Sequence, residues 1–117
     1  MPLDWTDGPL AEGLHCYCKQ KFFDAHEHWE AVWLKCGEPE KTFLQALIQI
    51  TAAFHHLTRS NPAGTVSLLR AALQRLEGYS ADYGGVAVEE LRAGIRTWLQ
   101  ALKSDSDPPQ LPFPRIR

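Results

Sequence analysis

Residues 42–59 read TFLQALIQITAAFHHLTR, and this stretch decides the fold. At about 100° per residue it forms a helix that is apolar around most of its circumference. Gln45, Gln49 and His56 make up its polar row. Its two apolar faces carry Phe43, Leu47, Ile50, Phe54 and Leu57 on one side and Leu44, Ile48, Thr51 and His55 on the other. A helix of this kind belongs at the centre of a bundle, so we predict that the other helices pack around it.

The preceding stretch, residues 22–36, reads FFDAHEHWEAVWLKC and predicts a second amphipathic helix. Its core-facing stripe repeats at helical spacing and consists of Phe22, Ala25, His26, Trp29, Val32, Trp33 and Cys36. His26 lies near the centre of that stripe. Glu30 lies one turn further on, with its Cβ atom about 5–6 Å from that of His26. Buried imidazole and carboxylate groups need polar partners, so the stripe predicts a polar site between the two helices.

Five helices are predicted in all, near residues 9–19, 22–36, 40–59, 62–77 and 87–102. Asp7-Gly8-Pro9 and Asn61-Pro62 are typical helix starts, because proline fits the first turn and asparagine caps it. Residues 79–85 are predicted as a loop, and no segment has the pattern of a strand. The predicted fold class is all-α, with one compact helical domain over residues 1–103 and an extended, proline-rich tail over residues 104–117. The apolar residues of the tail are predicted to dock on the helices.

The composition limits the classes of partner. The 117 residues carry a net charge of −2, so no basic field favours nucleic acid or an anionic membrane. The longest apolar run is interrupted by Gln45, Gln49, His55 and His56, and it falls short of the roughly 18–20 residues that span a bilayer. The three cysteines are an odd number and favour free thiols in a reducing compartment, so we predict a cytoplasmic protein.

Three segments at matching separations resemble a known family. KFFDAHEHWEAVW, FLQALIQITAAFHHL with Asn61 behind it, and LLRAALQRL are similar to the bacterial and archaeal family called domain of unknown function 309. The resemblance covers about residues 14–76 and implies a compact five-helix fold with no assigned activity. The family's motifs fall on His26, Glu27, Glu30, Trp33, Leu47, Ile48, Gln49 and His56. The sequence departs from the family pattern at Gln20, Asp24, Ala46 and Ser60.

The predicted polar cluster consists of His26, Glu27, Glu30, Gln49 and His56, and it supports two interpretations. The first is a buried hydrogen-bond network in which His26 bonds to Glu30 or Gln49. The second is a divalent metal site of a hydrolase, because H-E-x-x-E resembles the H-E-x-x-H of zinc proteases. In that case His26, Glu30 and His56 are the metal ligands, and Glu27 is the base that activates a bound water.

A third interpretation gives the cluster no chemistry of its own. Amphipathic helix pairs joined by short turns dimerise or bind other proteins, and tryptophans and the Leu-Pro-Phe-Pro sequence of the tail are suitable anchors. The sequence therefore predicts a small soluble helical protein without a defined reaction. A metal-dependent hydrolase and an interaction or homodimerisation module are its alternatives.

Overall fold

The computed structural model describes residues 3–103 and 111–117, which form five helices and one short hairpin. The helices are α1 (Gly8–Cys18), α2 (Phe22–Trp33), α3 (Glu40–Thr58), α4 (Pro62–Leu76) and α5 (Val88–Leu102). Two antiparallel strands, β1 (Asp82–Tyr83) and β2 (Val86–Ala87), precede α5. The all-α class and the five-helix architecture are confirmed.

α3 is the central helix, as its apolar circumference predicts. It packs against both α2 and α4. The side chains with no exposed surface include Phe43, Leu44, Leu47, Ile50 and Phe54. Burying each of these contributes about 1.5–3 kcal/mol of hydrophobic free energy, which is set against the loss of chain entropy. Among the described residues, no helix is long and apolar enough to cross a membrane.

Local backbone chemistry sets the helix boundaries. Asn61 caps α4, because its Oδ1 accepts a 3.1 Å hydrogen bond from the amide of Gly64. The break between α1 and α2 contains no glycine or proline, and it includes Gln20 in the left-handed region at φ 62°. α2 ends at Trp33, earlier than predicted, although the next residue, Leu34, keeps helical dihedral angles.

The segment between α4 and α5 contains a short β-hairpin, whereas residues 79–85 were predicted to form a loop. Tyr83 pairs with Val86, and between them Gly84 and Gly85 turn the chain with φ values of 57° and 82°. Two successive residues with positive φ are the geometry of a tight hairpin, and glycine adopts it most easily. Strands of two residues are too short to show the alternation of apolar and polar residues by which a strand is identified in sequence.

The end of the predicted tail, residues 111–117, packs on the helices as an extended strap. The ring of Phe113 has its centroid between 4.9 and 5.6 Å from those of Phe22, Phe54 and Trp98. The hydroxyl of Tyr17 donates a 2.7 Å hydrogen bond to the carbonyl of Pro114. The strap therefore joins helices from both ends of the chain. Residues 104–110, which begin the predicted tail, lie outside the described residues.

Candidate functional site

The inward face of α2 fixes the direction of its other side chains. That face is buried and consists of Phe22, Ala25 and Trp29. The indole Nε1 of Trp29 donates a 3.1 Å hydrogen bond to the carbonyl of Leu10 in α1, and its ring stacks on Tyr17 with centroids 6.2 Å apart. Because side chains radiate from a helix, the polar residues of α2 are turned toward the edge of the core and the outer surface.

His26 and Glu30 are the two predicted site residues that lie in direct polar contact within the described part of the chain. Nε2 of His26 lies 3.3 Å from Oε2 of Glu30. The His26 side chain is 28% exposed and that of Glu30 is 46% exposed, so the pair lies at the edge of the core. This corrects the prediction of a buried imidazole at the centre of the stripe. The Nδ1 atom of His26 is itself buried and has no hydrogen-bond partner among the described residues.

The other three predicted residues have different neighbours. Oε1 of Gln49 accepts a 3.2 Å hydrogen bond from Nε of Arg75 in α4. Nδ1 of His56 lies 3.1 Å from Nδ2 of Asn61, at the junction of α3 and α4. Glu27 is exposed on α2. No hydrogen bond within residues 3–103 and 111–117 joins any of these three to the pair on α2.

The predicted metal ligands divide into the His26–Glu30 pair on α2 and His56 at the end of α3. In the part of the chain that the structure describes, no group of three or more histidine, cysteine, aspartate or glutamate side chains is placed to hold a metal ion. The metal interpretation, with Glu27 as the base, therefore stays a prediction. The geometry offers two of its ligands together and gives the third a separate polar neighbour.

The C-terminal end of α2 makes a polar contact with α3. Nζ of Lys41 donates a 2.9 Å hydrogen bond to the carbonyl of Trp33 and lies 4.0 Å from the centroid of its ring. This is the geometry of a cation–π interaction. Trp33, a predicted member of the core-facing stripe, is partly buried and packs against the core, and its Nε1 is buried without a hydrogen-bond partner among the described residues. Lys41 thus covers this edge of α2.

The outward face of α2, continued by Leu34 directly after the helix, carries two apolar residues with two acidic residues between them. Phe23, Glu27, Glu30 and Leu34 follow one another at intervals of four, three and four residues. This spacing places them within about 60° of the helix circumference and along about 16 Å of its length. Phe23 is 54% exposed and Leu34 is 65% exposed, and they are the large apolar residues that are exposed within the described ranges. We call these four residues the outer stripe.

Phe23 connects the outer stripe to the end of α3. Its ring stacks on the imidazole of His26, with centroids 6.3 Å apart, and lies 5.7 Å from the imidazole of His55. These contacts hold one edge of the phenyl ring while more than half of the residue stays exposed. His26 on α2 and His55 at the end of α3 therefore position the exposed ring of Phe23.

A comparison with known protein families matches the part of the chain that contains α2 and α3. A family model described as Domain of unknown function (DUF309) matches residues 10–68, half of the chain. The chain belongs to the DUF309 family. The predicted resemblance is confirmed, and the DUF309 match runs from α1 through α2 and α3 into α4. The outer stripe therefore lies inside the DUF309 region, whereas α5 and the strap lie beyond it. A search of curated proteins finds no match.

Sequence reasoning missed the exposed apolar residues of this site. Phe23 and Leu34 both fall outside the core-facing stripe of α2, and they share one side of the helical wheel. A large apolar residue on the solvent side of an amphipathic helix is the signal that would have identified them. Lys41 was missed as well, because a cation–π contact between two helices depends on how the helices are rotated against each other.

Proposed function

We propose that this DUF309 domain is a protein-interaction module whose outer stripe binds a basic amphipathic helix of a partner protein. The observation that carries the proposal is the exposure of Phe23 and Leu34, 54% and 65%, on the same face of α2. A partner helix that lies along α2 can cover both side chains at once, as in complexes where an amphipathic helix binds through its apolar face. When the partner helix covers Phe23 and Leu34, apolar surface is removed from water, and this supplies the free energy of binding.

The two glutamates of the stripe determine the charge of the partner. Glu27 and Glu30 lie between the two apolar residues, and Glu27 has no ion-pair partner among the described residues. Glu30 is held by His26 at 3.3 Å, and a side chain that is held in place loses less entropy when it binds. A partner helix with an apolar, a basic, a basic and an apolar residue at the same spacing complements the stripe. The stripe reads the same in both directions, so it accepts either helix orientation.

A second copy of the chain is a poorer occupant than a basic helix. In an antiparallel pairing of two α2 helices about the centre of the stripe, Phe23 faces Leu34 of the other copy. Glu27 then faces Glu30 of the other copy twice, which brings four carboxylates together. Like charges across an interface disfavour the complex. We therefore propose a different protein as the partner.

A metal-dependent function is the second candidate, because the His26–Glu30 pair supplies two oxygen or nitrogen ligands 3.3 Å apart. A divalent ion there takes its remaining ligands from water, from a bound partner, or from His56 after a movement of the end of α3. Glu27 adjoins the pair in sequence and is the base in that case. For both candidate functions we propose a cytoplasmic location, because three free cysteines are consistent with a reducing compartment.

The binding proposal is tested with synthetic peptides. The first is an alanine-rich helix with leucine at positions i and i+11 and lysine at i+4 and i+7, held helical by a staple on its opposite face because short helices are marginal in water. The second peptide replaces both lysines by glutamate, and the third replaces both leucines by serine. Fluorescence anisotropy measures the dissociation constant of each peptide. We expect the first to bind and the other two to bind at least about tenfold more weakly.

Variants of the protein locate the binding surface. Phe23→Ser and Leu34→Ser should each weaken binding of the first peptide while changing the free energy of unfolding by less than about 1 kcal/mol, because both side chains are largely exposed. Glu27→Gln should also weaken binding of the first peptide, because it removes one of the carboxylates that face the lysines. Glu90→Gln, which removes an exposed carboxylate from α5, is its matched control and should leave binding unchanged. Equal binding of all three peptides, or unchanged binding after both serine substitutions, would refute the proposal.

A further inference from the structure

A cavity of about 670 Å³ lies between the segment before α1, the C-terminal end of α2 and the start of α3. Its apolar wall includes Leu3, Leu10 and Val32. Cavities of roughly 300–1,000 Å³ with mostly apolar walls are typical of sites for small molecules. None of the four residues of the outer stripe lines this cavity, so it is a separate feature of the molecule.

The cavity wall is held in place by contacts on both sides. Trp5 anchors the segment before α1, because its Nε1 donates a 2.6 Å hydrogen bond to the carbonyl of Gly84 and its ring packs edge-on against Trp29. On the other side, Glu38 accepts hydrogen bonds from the amide and the hydroxyl of Thr42, at 2.8 and 2.5 Å. A site formed before the ligand arrives loses less free energy on binding.

Carboxylates dominate the polar part of the cavity. Among the described residues, the charged groups that line it are four carboxylates, those of Asp4, Asp7, Glu38 and Glu40, and one cation, Lys35. The hydrogen bond from Thr6 lowers the pKa of Asp4, and those from Thr42 lower the pKa of Glu38, so both carboxylates are ionised at neutral pH. Asp7 makes no side-chain hydrogen bond to the α1 helix that follows it, so its carboxylate is available to a ligand. The charge of the cavity therefore favours a cation and disfavours an anion.

We propose that this cavity binds an organic ammonium ion whose apolar body lies against Leu3, Leu10 and Val32 and whose ammonium group faces Asp7. The apolar wall excludes a bare metal ion or a fully polar cation as the preferred ligand, because neither gains from contact with it. The volume fits a small molecule and not a folded segment. The proposal does not depend on the outer stripe or on its partner.

The test compares three probes of the same shape and different charge: 4-phenylbutylamine, 4-phenylbutanol and 4-phenylbutyrate. Titrations of the full chain are followed by changes in the backbone amide resonances, which report both the affinity and the place of binding. We expect the amine to shift the amides of Val32, Cys36 and Asp7, and to bind several-fold more tightly than the alcohol, with the carboxylate weakest. The shifts at these residues locate the probe in the cavity.

Two pairs of variants complete the test. Asp7→Asn should weaken binding of the amine by about threefold and leave that of the alcohol unchanged, whereas Asp82→Asn, on β1, should change neither. Ala31→Phe places a ring at the exposed cavity edge and should weaken both probes by about tenfold, whereas Ala93→Phe on α5 should not. Equal affinity for amine and alcohol, amide shifts confined to other parts of the chain, or no binding at millimolar amine would each overturn the proposal.

Discussion

The position of the outer stripe depends on close packing of α1 against the opposite side of α2, and Gly13→Ala tests that packing. Gly13 is buried in α1, and a Cβ atom added there would lie 2.9 Å from Cε2 of Trp29 and closer still to Nε1 and Cδ1. Trp29 has no exposed surface, so its ring is enclosed by neighbouring groups that would have to shift with it. The same ring movement would break its hydrogen bond to the Leu10 carbonyl.

The expected cost follows from three contributions. Overpacking a well-packed core costs about 1–3 kcal/mol, and loss of the indole hydrogen bond costs about 0.5–1.5 kcal/mol. Alanine gains back about 1 kcal/mol over glycine in the interior of a helix. Gly13→Ala should therefore reduce the free energy of unfolding by about 2 kcal/mol, which lowers the melting temperature by roughly 8 °C in a domain of this size.

Urea denaturation followed by circular dichroism measures this free energy. Gly37→Ala is the matched control, because an added Cβ there meets no atom within 4 Å, and it should change the stability by less than about 0.5 kcal/mol. A double-mutant cycle with Trp29→Phe isolates the contact, since phenylalanine has no indole nitrogen and more room to tilt. In that background Gly13→Ala should cost at least about 1 kcal/mol less. If Gly13→Ala were as stable as the wild type, α1 would not pack on α2 as closely as described.

Three further predictions concern assembly, metal binding and alkaline pH. The wild type should sediment as a monomer, whereas Glu27→Lys should dimerise more strongly because the introduced ammonium group then faces Glu30 of the other copy; equal self-association at equal concentration would contradict the argument against a homodimer. The metal hypothesis predicts that zinc or manganese raises the melting temperature of the wild type and not that of His26→Ala, relative to chelator; the peptide-binding hypothesis predicts no change in either. Burial raises the pKa of Tyr17 above its unfolded value of about 10, so the stability that its neutral phenol supports is present below pH 10 and is lost as the pH rises above it. Tyr17→Phe should lose less stability between pH 9 and 11 than the wild type does in urea titrations, and an equal loss would show that Tyr17 does not contribute. Burial also raises the pKa of Tyr79 and of Tyr83, but both residues are present in the two proteins that are compared.

The parts of the fold that follow from local chemistry were predictable from the sequence. The start of α4 is one example, because Asn61 and Pro62 act within their own turn. The central place of α3 is another, because a helix that is apolar all round has to be covered on all sides. Both features depend on residues that are neighbours along the chain.

The candidate site was harder to predict because it depends on how the helices are rotated against one another. The polar row of α3 was expected to face α2, but Gln49 bonds to Arg75 of α4. On α2, the packing of α1 and α3 centres the core on Trp29, which leaves His26 and Trp33 half-buried on the flank. A helical wheel gives the order of residues around one helix, but it does not give the direction in which a neighbouring helix lies.

The strap at residues 111–117 has a consequence for the order of events during synthesis. Phe113 completes an aromatic cluster with Phe22, Phe54 and Trp98, although it follows all five helices in the chain. While a ribosome is still making that segment, the first helices can form, but the aromatic rings that Phe113 will cover are still exposed. A nascent chain at this stage presents an apolar surface to chaperones and to other nascent chains. Contacts between residues so far apart in sequence also slow folding. The packing of this aromatic cluster needs Phe113, so it is completed only after that residue has left the ribosome.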